Sequence, residues 1–167
     1  MAANTLTFDT VTSTSLTATT VAVTFSSIPA TWTDLVLVVQ GTWTSSNTQD
    51  IYLQFNGDTG SNYQTGRTLA VTSTSVVFPD GNLTSTVINC GLLSSNAASM
   101  SIWHILNYSA TNTGKPVHGR STTPEYNSFG TGCWRSTSAI TSIKIYNSTS
   151  LNFTTGTVFS LYGILKA

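Results

Sequence analysis

The stretch Ile51-Tyr52-Leu53-Gln54-Phe55-Asn56-Gly57-Asp58-Thr59-Gly60-Ser61-Asn62-Tyr63 holds the two signals on which the fold turns. Ile51, Leu53 and Phe55 alternate with Tyr52 and Gln54, and a period of two describes a strand with one buried face. Asn56-Gly57 follows at once, and both residue types accept positive φ, so the chain turns there. Asn56, Asp58 and Asn62 also invite comparison with a cation-binding loop. Calcium loops use several carboxylates, however, and this one has only Asp58. The stretch is therefore read as a strand and a shaped turn, and no metal site is assigned.

The same period recurs outward along the chain. Val21, Val23 and Phe25 alternate with Ala22 and Thr24, and Thr141, Ile143 and Ile145 with Ser142, Lys144 and Tyr146. Leu35–Val39 and Val158–Leu165 are apolar at nearly every position, which places them centrally in the fold or under a neighbouring subunit. Further strands are expected at Leu6–Phe8, Val71–Phe78, Val87–Leu93, Met100–Tyr108 and Pro116–Ser121. Pro29, Pro79-Asp80-Gly81, Thr113–Pro116 and Gly130-Thr131-Gly132 read as turns between them. No window carries a helical period over three turns. The expectation is an all-β protein: an antiparallel β-sandwich, jelly-roll-like, with almost no helix. Residues 21–167 form one domain, and the Ser/Thr-rich residues 1–20 can serve as an N-terminal arm.

Composition narrows the function. Of the 167 residues 40% are apolar and only 7% charged, with zero net charge. Thr and Ser make up roughly a third, a bias toward pleated, half-buried surfaces. Arg67, Lys115, Arg120, Arg135, Lys144 and Lys166 are scattered, so no basic patch for nucleic acid is expected. The N-terminus lacks the pattern of a signal peptide, and no run reaches the ~18 apolar residues of a membrane span. Synthesis in a cytoplasm is the expectation.

Catalytic groups are few. His104 shares a predicted strand face with Ile102 and Leu106 and reads as a core histidine, while His118 is expected to face solvent. Glu125 and Asp80 are the nearest acidic residues to one another in that region, and nothing suggests a paired-carboxylate site. No enzyme activity, catalytic residue or cofactor is expected. Cys90 and Cys133 read as two small buried thiols, with a disulfide the alternative. Trp32, Trp43, Trp103 and Trp134 suit either a sugar-stacking platform or core and interface packing, and packing is preferred. The Asn-x-Ser/Thr triplets at Asn82, Asn107, Asn147 and Asn152 are expected by chance in so Ser/Thr-rich a chain.

Six phrases carry a resemblance: Val23–Pro29, Trp32–Val39, Phe55–Tyr63, Ile105–Tyr108, Trp134–Ile143 and Phe159–Ile164. In that order they resemble a family of tailed-bacteriophage virion structural proteins, frequent in cyanophages, that comprises capsid decoration (cement) proteins, head fibres and tail-fibre modules. Cys133 before Trp134 and the Thr68–Phe78 stretch depart from the pattern. The resemblance implies a structural role on the outer surface of a virion. Decoration of the assembled head is the preferred role, with the chain itself (a trimer or larger homo-oligomer) and the major capsid protein as partners. The alternative is a tail-fibre or receptor-binding module for host surface glycan. The phrases transfer no active site.

Overall fold

The computed structural model describes residues 8–44, 47–71, 76–95, 97–147, 149 and 151–165, with the side chains of 76–80 and 90 left out. The strands are β1 (Phe8–Ser15), β2 (Ala22–Phe25), β3 (Asp34–Gly41), β4 (Gln49–Phe55), β5 (Tyr63–Val71) and β6 (Val76–Ser85). They continue with β7 (Ile88–Leu93), β8 (Ser99–Ile105), β9 (Lys115–Thr122), β10 (Tyr126–Trp134), β11 (Ile143–Tyr146) and β12 (Val158–Ile164). Among the described residues there is no helix. Eight strands form one antiparallel sheet in the order β1-β12-β3-β8-β9-β10-β5-β6, and four form a second, β2-β11-β4-β7. The chain is an all-β, jelly-roll-like sandwich, as its periodicity predicts.

Alternation builds the core between the sheets. Leu35, Leu37 and Val39 of β3, Trp103 and Ile105 of β8 and Phe159 and Leu161 of β12 point inward from the large sheet. Ile51, Leu53 and Phe55 of β4 and Ile143 and Ile145 of β11 meet them from the small one. Each such side chain, fully withdrawn from water, contributes about 1.5–3 kcal/mol. The two long apolar runs are β3 and β12, which pair with each other inside the large sheet.

The small sheet's β7 lies at an edge, yet side chains of the large sheet satisfy its backbone. Leu92 N donates to Ser121 Oγ at 3.1 Å, and Leu92 O accepts from Ser101 Oγ at 2.6 Å. Asn89 N donates to Thr65 Oγ1, and Asn89 O accepts from the same hydroxyl, both at 2.9 Å. Arg67 of β5 reaches across to Asp50 of β4 and Asn89 of β7, forming an inter-sheet ion pair. The large sheet's outer strands β1 and β6, and β2 of the small sheet, keep open edges.

Several expectations need correction. Gly130-Thr131-Gly132 is the middle of β10, not a turn. Glycine stands there because the sheets approach closely: a Cβ on Gly132 would lie 2.8 Å from Ile88 Cγ2. Pro79-Asp80-Gly81 lies inside β6, where an edge strand tolerates proline. The expected strand Val71–Phe78 is the end of β5 and the start of β6, paired as a hairpin with Val71 opposite Val76. Residues 72–75 lie outside the described residues. Of the expected arm, Phe8–Ser15 is strand β1, paired with β12 of the same chain, while Leu6 and the rest of residues 1–7 lie outside the described residues.

Candidate functional site

One pole of the sandwich gathers the loops 26–33, 56–62, 106–114 and 135–142. The turn after β4 is set by Asn56 (φ 53°) and Gly57 (φ 69°). Asn56 is fixed by its side chain, whose Oδ1 accepts from Thr141 N at 2.8 Å and Ser142 N at 3.1 Å while Nδ2 donates to Ala139 O at 2.8 Å. Asp58 closes the loop. Its carboxylate accepts from Trp134 Nε1 at 2.7 Å, Gly60 N at 2.9 Å and Asn62 Nδ2 at 3.0 Å. Burial works against the charged carboxylate, but those three donors outweigh it and hold Asp58 below its ordinary pKa.

Beneath this turn Phe55, Tyr63 and Trp134 form an aromatic cluster with ring centroids 5.8–6.4 Å apart. The Tyr63 hydroxyl donates to Asp58 O at 3.0 Å, and burial pushes its pKa up to about 12. Arg135 N donates to Asn62 O at 2.9 Å. The phrases Phe55–Tyr63 and Trp134–Ile143 are thus one hydrogen-bonded corner. Ile105–Tyr108 joins the same pole: Asn107 N donates to Asp34 Oδ1 at 2.7 Å, Trp32 N donates to the Tyr108 hydroxyl at 3.3 Å, and Tyr108 O accepts from Ile140 N at 2.8 Å. Lys115, fully buried, donates through Nζ to Thr113 O and Thr137 O, and burial lowers its pKa. These groups are spent on one another. No group of three or more His, Cys, Asp or Glu that could hold a metal occurs among the described residues.

The outer face of the large sheet is the second candidate. Along β9, Val117, Gly119 and Ser121 point inward, so His118 and Arg120 stand outward and exposed. His104 corrects its expectation. Trp103 and Ile105 are the inward residues of β8, and His104 lies half-buried on the outer face opposite His118. The apolar Ile102 and Leu106, which suggested a core face, flank it outside. Phe129 and Met100, 60% and 45% exposed, share this face. Beyond them Gly66 and Gly81 pair across β5 and β6 and leave the backbone bare, which forms a trough of about 370 Å³ lined also by Gln64, Asn82, Leu83 and Thr131. The sequence carries only weak signals for it, since its glycines resemble turn residues.

The remaining residues are placed as follows. Cys133 is a free thiol, half-buried beside the trough, and burial raises its pKa. The Cys90 side chain lies outside the described residues. Trp43, Trp103 and Trp134 are at most 3% exposed, and Trp32 packs over Gly163. The tryptophans therefore serve packing, as preferred from the sequence. The Glu125 carboxylate accepts from Thr48 Oγ1 at 2.9 Å.

No protein-family model matches the sequence, and no curated protein matches it. Among solved structures, an exo-inulinase from Aspergillus awamori is similar at 9% identity and a TM-score of 0.49, covering 98% of this chain. The chain spans 30% of that enzyme's length. The alginate lyase Aly36B is similar at 11% identity and a TM-score of 0.31, covering 81% of this chain and 72% of its own. An endo-β-1,4-glucuronan lyase from the fungus Trichoderma reesei is similar at 9% identity and a TM-score of 0.33, covering 94% and 77%. These likenesses assign no activity to this chain.

Proposed function

We propose that the chain is a structural protein of a tailed-phage particle, a capsid decoration protein that binds and stabilises the assembled head. The observation that carries the reading is the pole. The phrases on which the resemblance rests converge there: Asn56 accepts from Thr141 N, Asp58 from Trp134 Nε1, and the Tyr108 hydroxyl from Trp32 N. Such residues hold a shape, which is what a structural role asks of them.

Attachment would use neutral contacts, since charges are few. The open edges of β1 and β2, with Phe8 50% and Val21 48% exposed nearby, offer apolar surface and unpaired backbone together. The partners are further copies of the chain and the major capsid protein, on the outer surface of the virion. A protein that binds the assembled shell and not its free subunits raises the temperature at which the shell opens. Virions with and without the protein are compared for thermal DNA release and for adsorption to cells. Loss of heat resistance with adsorption unchanged is expected. Unchanged heat resistance with lost adsorption would replace this reading by a tail-fibre module recognising host surface glycan, which the exposed Phe129 beside the trough favours.

A further inference from the structure

On the outer face of the large sheet two histidines and an arginine come together, in a chain with few charged groups. His104 and His118 are direct register partners, which sets their Cβ atoms roughly 5 Å apart. Arg120 follows His118 by two residues and points to the same side. The three interact: burial first, then the charges of Arg120 and His118, lower the His104 pKa, while Asp34 acts the other way. Asp34 is already engaged by Asn107 N at 2.7 Å. The other neighbours of the cluster on this face are uncharged. They are Tyr162 of β12, Val36 of β3, Ile102 of β8 and Thr131 and Phe129 of β10. The Cys133 thiol beside the trough is kept neutral by burial.

From His118 the same row of the sheet continues through Thr131 to Gly66 and Gly81, the floor of the trough. Phe129 stands over an adjoining hollow of about 240 Å³ that it forms with Gly66 and Thr68. The trough itself offers hydroxyls and amides, the Phe129 ring stands in the hollow beside it, and His118, with His104 and Arg120 around it, follows Thr131 on the next strand. Its volume lies within the usual range for a small-ligand site, about 300–1,000 Å³.

We infer that this trough binds a carboxylate-bearing glycan, with His104, His118 and Arg120 holding the acid group and Phe129 receiving a sugar ring. An arginine presents paired donors to a carboxylate, and each imidazole adds a ring N–H donor. An extended acidic peptide fits less well. A peptide adding to this sheet would lie along the open edge of β6, on the far side of the trough, whereas the histidines and Arg120 stand on β8 and β9 inside the sheet. Such binding belongs to the isolated chain and does not depend on the decoration role.

Calorimetric titration of the full chain tests it, with tri-galacturonate, its methyl ester and tri-glutamate as probes, each at pH 5.5 and 7.5. Saturable binding of tri-galacturonate alone is expected at both pH values, since an arginine stays charged throughout. His118→Gln and Arg120→Gln should each weaken it on the order of tenfold, the loss of one hydrogen-bonded contact. Phe129→Ala should weaken it too, and all three exposed variants should melt as the parent does. No saturation by tri-galacturonate at millimolar concentration would overturn the inference. So would equal binding of the ester or of tri-glutamate, or unaltered binding by Arg120→Gln. None of these outcomes touches the heat-release test, which reads the shell and not this face.

Discussion

Asp58 shows how one carboxylate can fix a turn of the kind that metals elsewhere organise. Replacing it with Ala leaves Trp134 Nε1 without its acceptor in a residue only 3% exposed. The expected loss is about 2 kcal/mol, read by urea unfolding, with a shift in tryptophan emission. Acid acts on the same bonds. The folded carboxyl lies below its ordinary pKa, so the unfolded chain takes up the proton first as pH falls. The stabilisation is complete above about pH 3.9 and lost as pH falls through the folded value. Melting temperatures between pH 5 and 2.5 should decline less steeply in Asp58→Asn than in the parent. The turn itself was legible in Asn56-Gly57. Its fastening was not, because Trp134 lies 76 residues away and no local pattern links the two.

Strands were legible where apolar residues alternate, as in β2, β4 and β11, or run almost unbroken, as in β3 and β12. They were missed where the inward face is small or polar. β5 and β10 point Thr65, Ser128 and glycines toward the other sheet, and such residues read as loop or solvent face. Their chemistry explains the choice: these hydroxyls, with Ser101 and Ser121, stand in for the partner strand that β7 lacks. Thr65→Val keeps the shape and removes the hydroxyl, leaving Asn89 N–H without its partner. It should cost about 1–3 kcal/mol, while Thr68→Val on the exposed face should change little, both by denaturant unfolding. Close approach supplies a second case. A Cβ on Gly91 would sit 2.2 Å from Trp103 Cζ2, so Gly91→Ala should destabilise by about 1–3 kcal/mol or prevent folding. The same polar bias reversed the reading of β8, where apolar Ile102 and Leu106 drew His104 toward the wrong face.

At the scale of the molecule, composition foresaw a neutral β-sandwich but not which edges stay open. That depends on β1 returning from the start of the chain to pair with β12 at its end. Open edges on an uncharged body favour association between copies, and light scattering on the purified chain should report a trimer or larger. A monomer at micromolar concentration would count against self-association in solution. The pairing of first strand with last has a mechanical consequence. Phe8 lies opposite Ile164, so pulling the two termini apart loads the sheet at the open mouth of a zipper. Its hydrogen bonds would break singly, in sequence, and none would share the force with the next. Tension between the ends should therefore peel β1 away at low force and leave the other strands standing, whereas an attachment along the flank of β1 would spread the same load over its whole ladder.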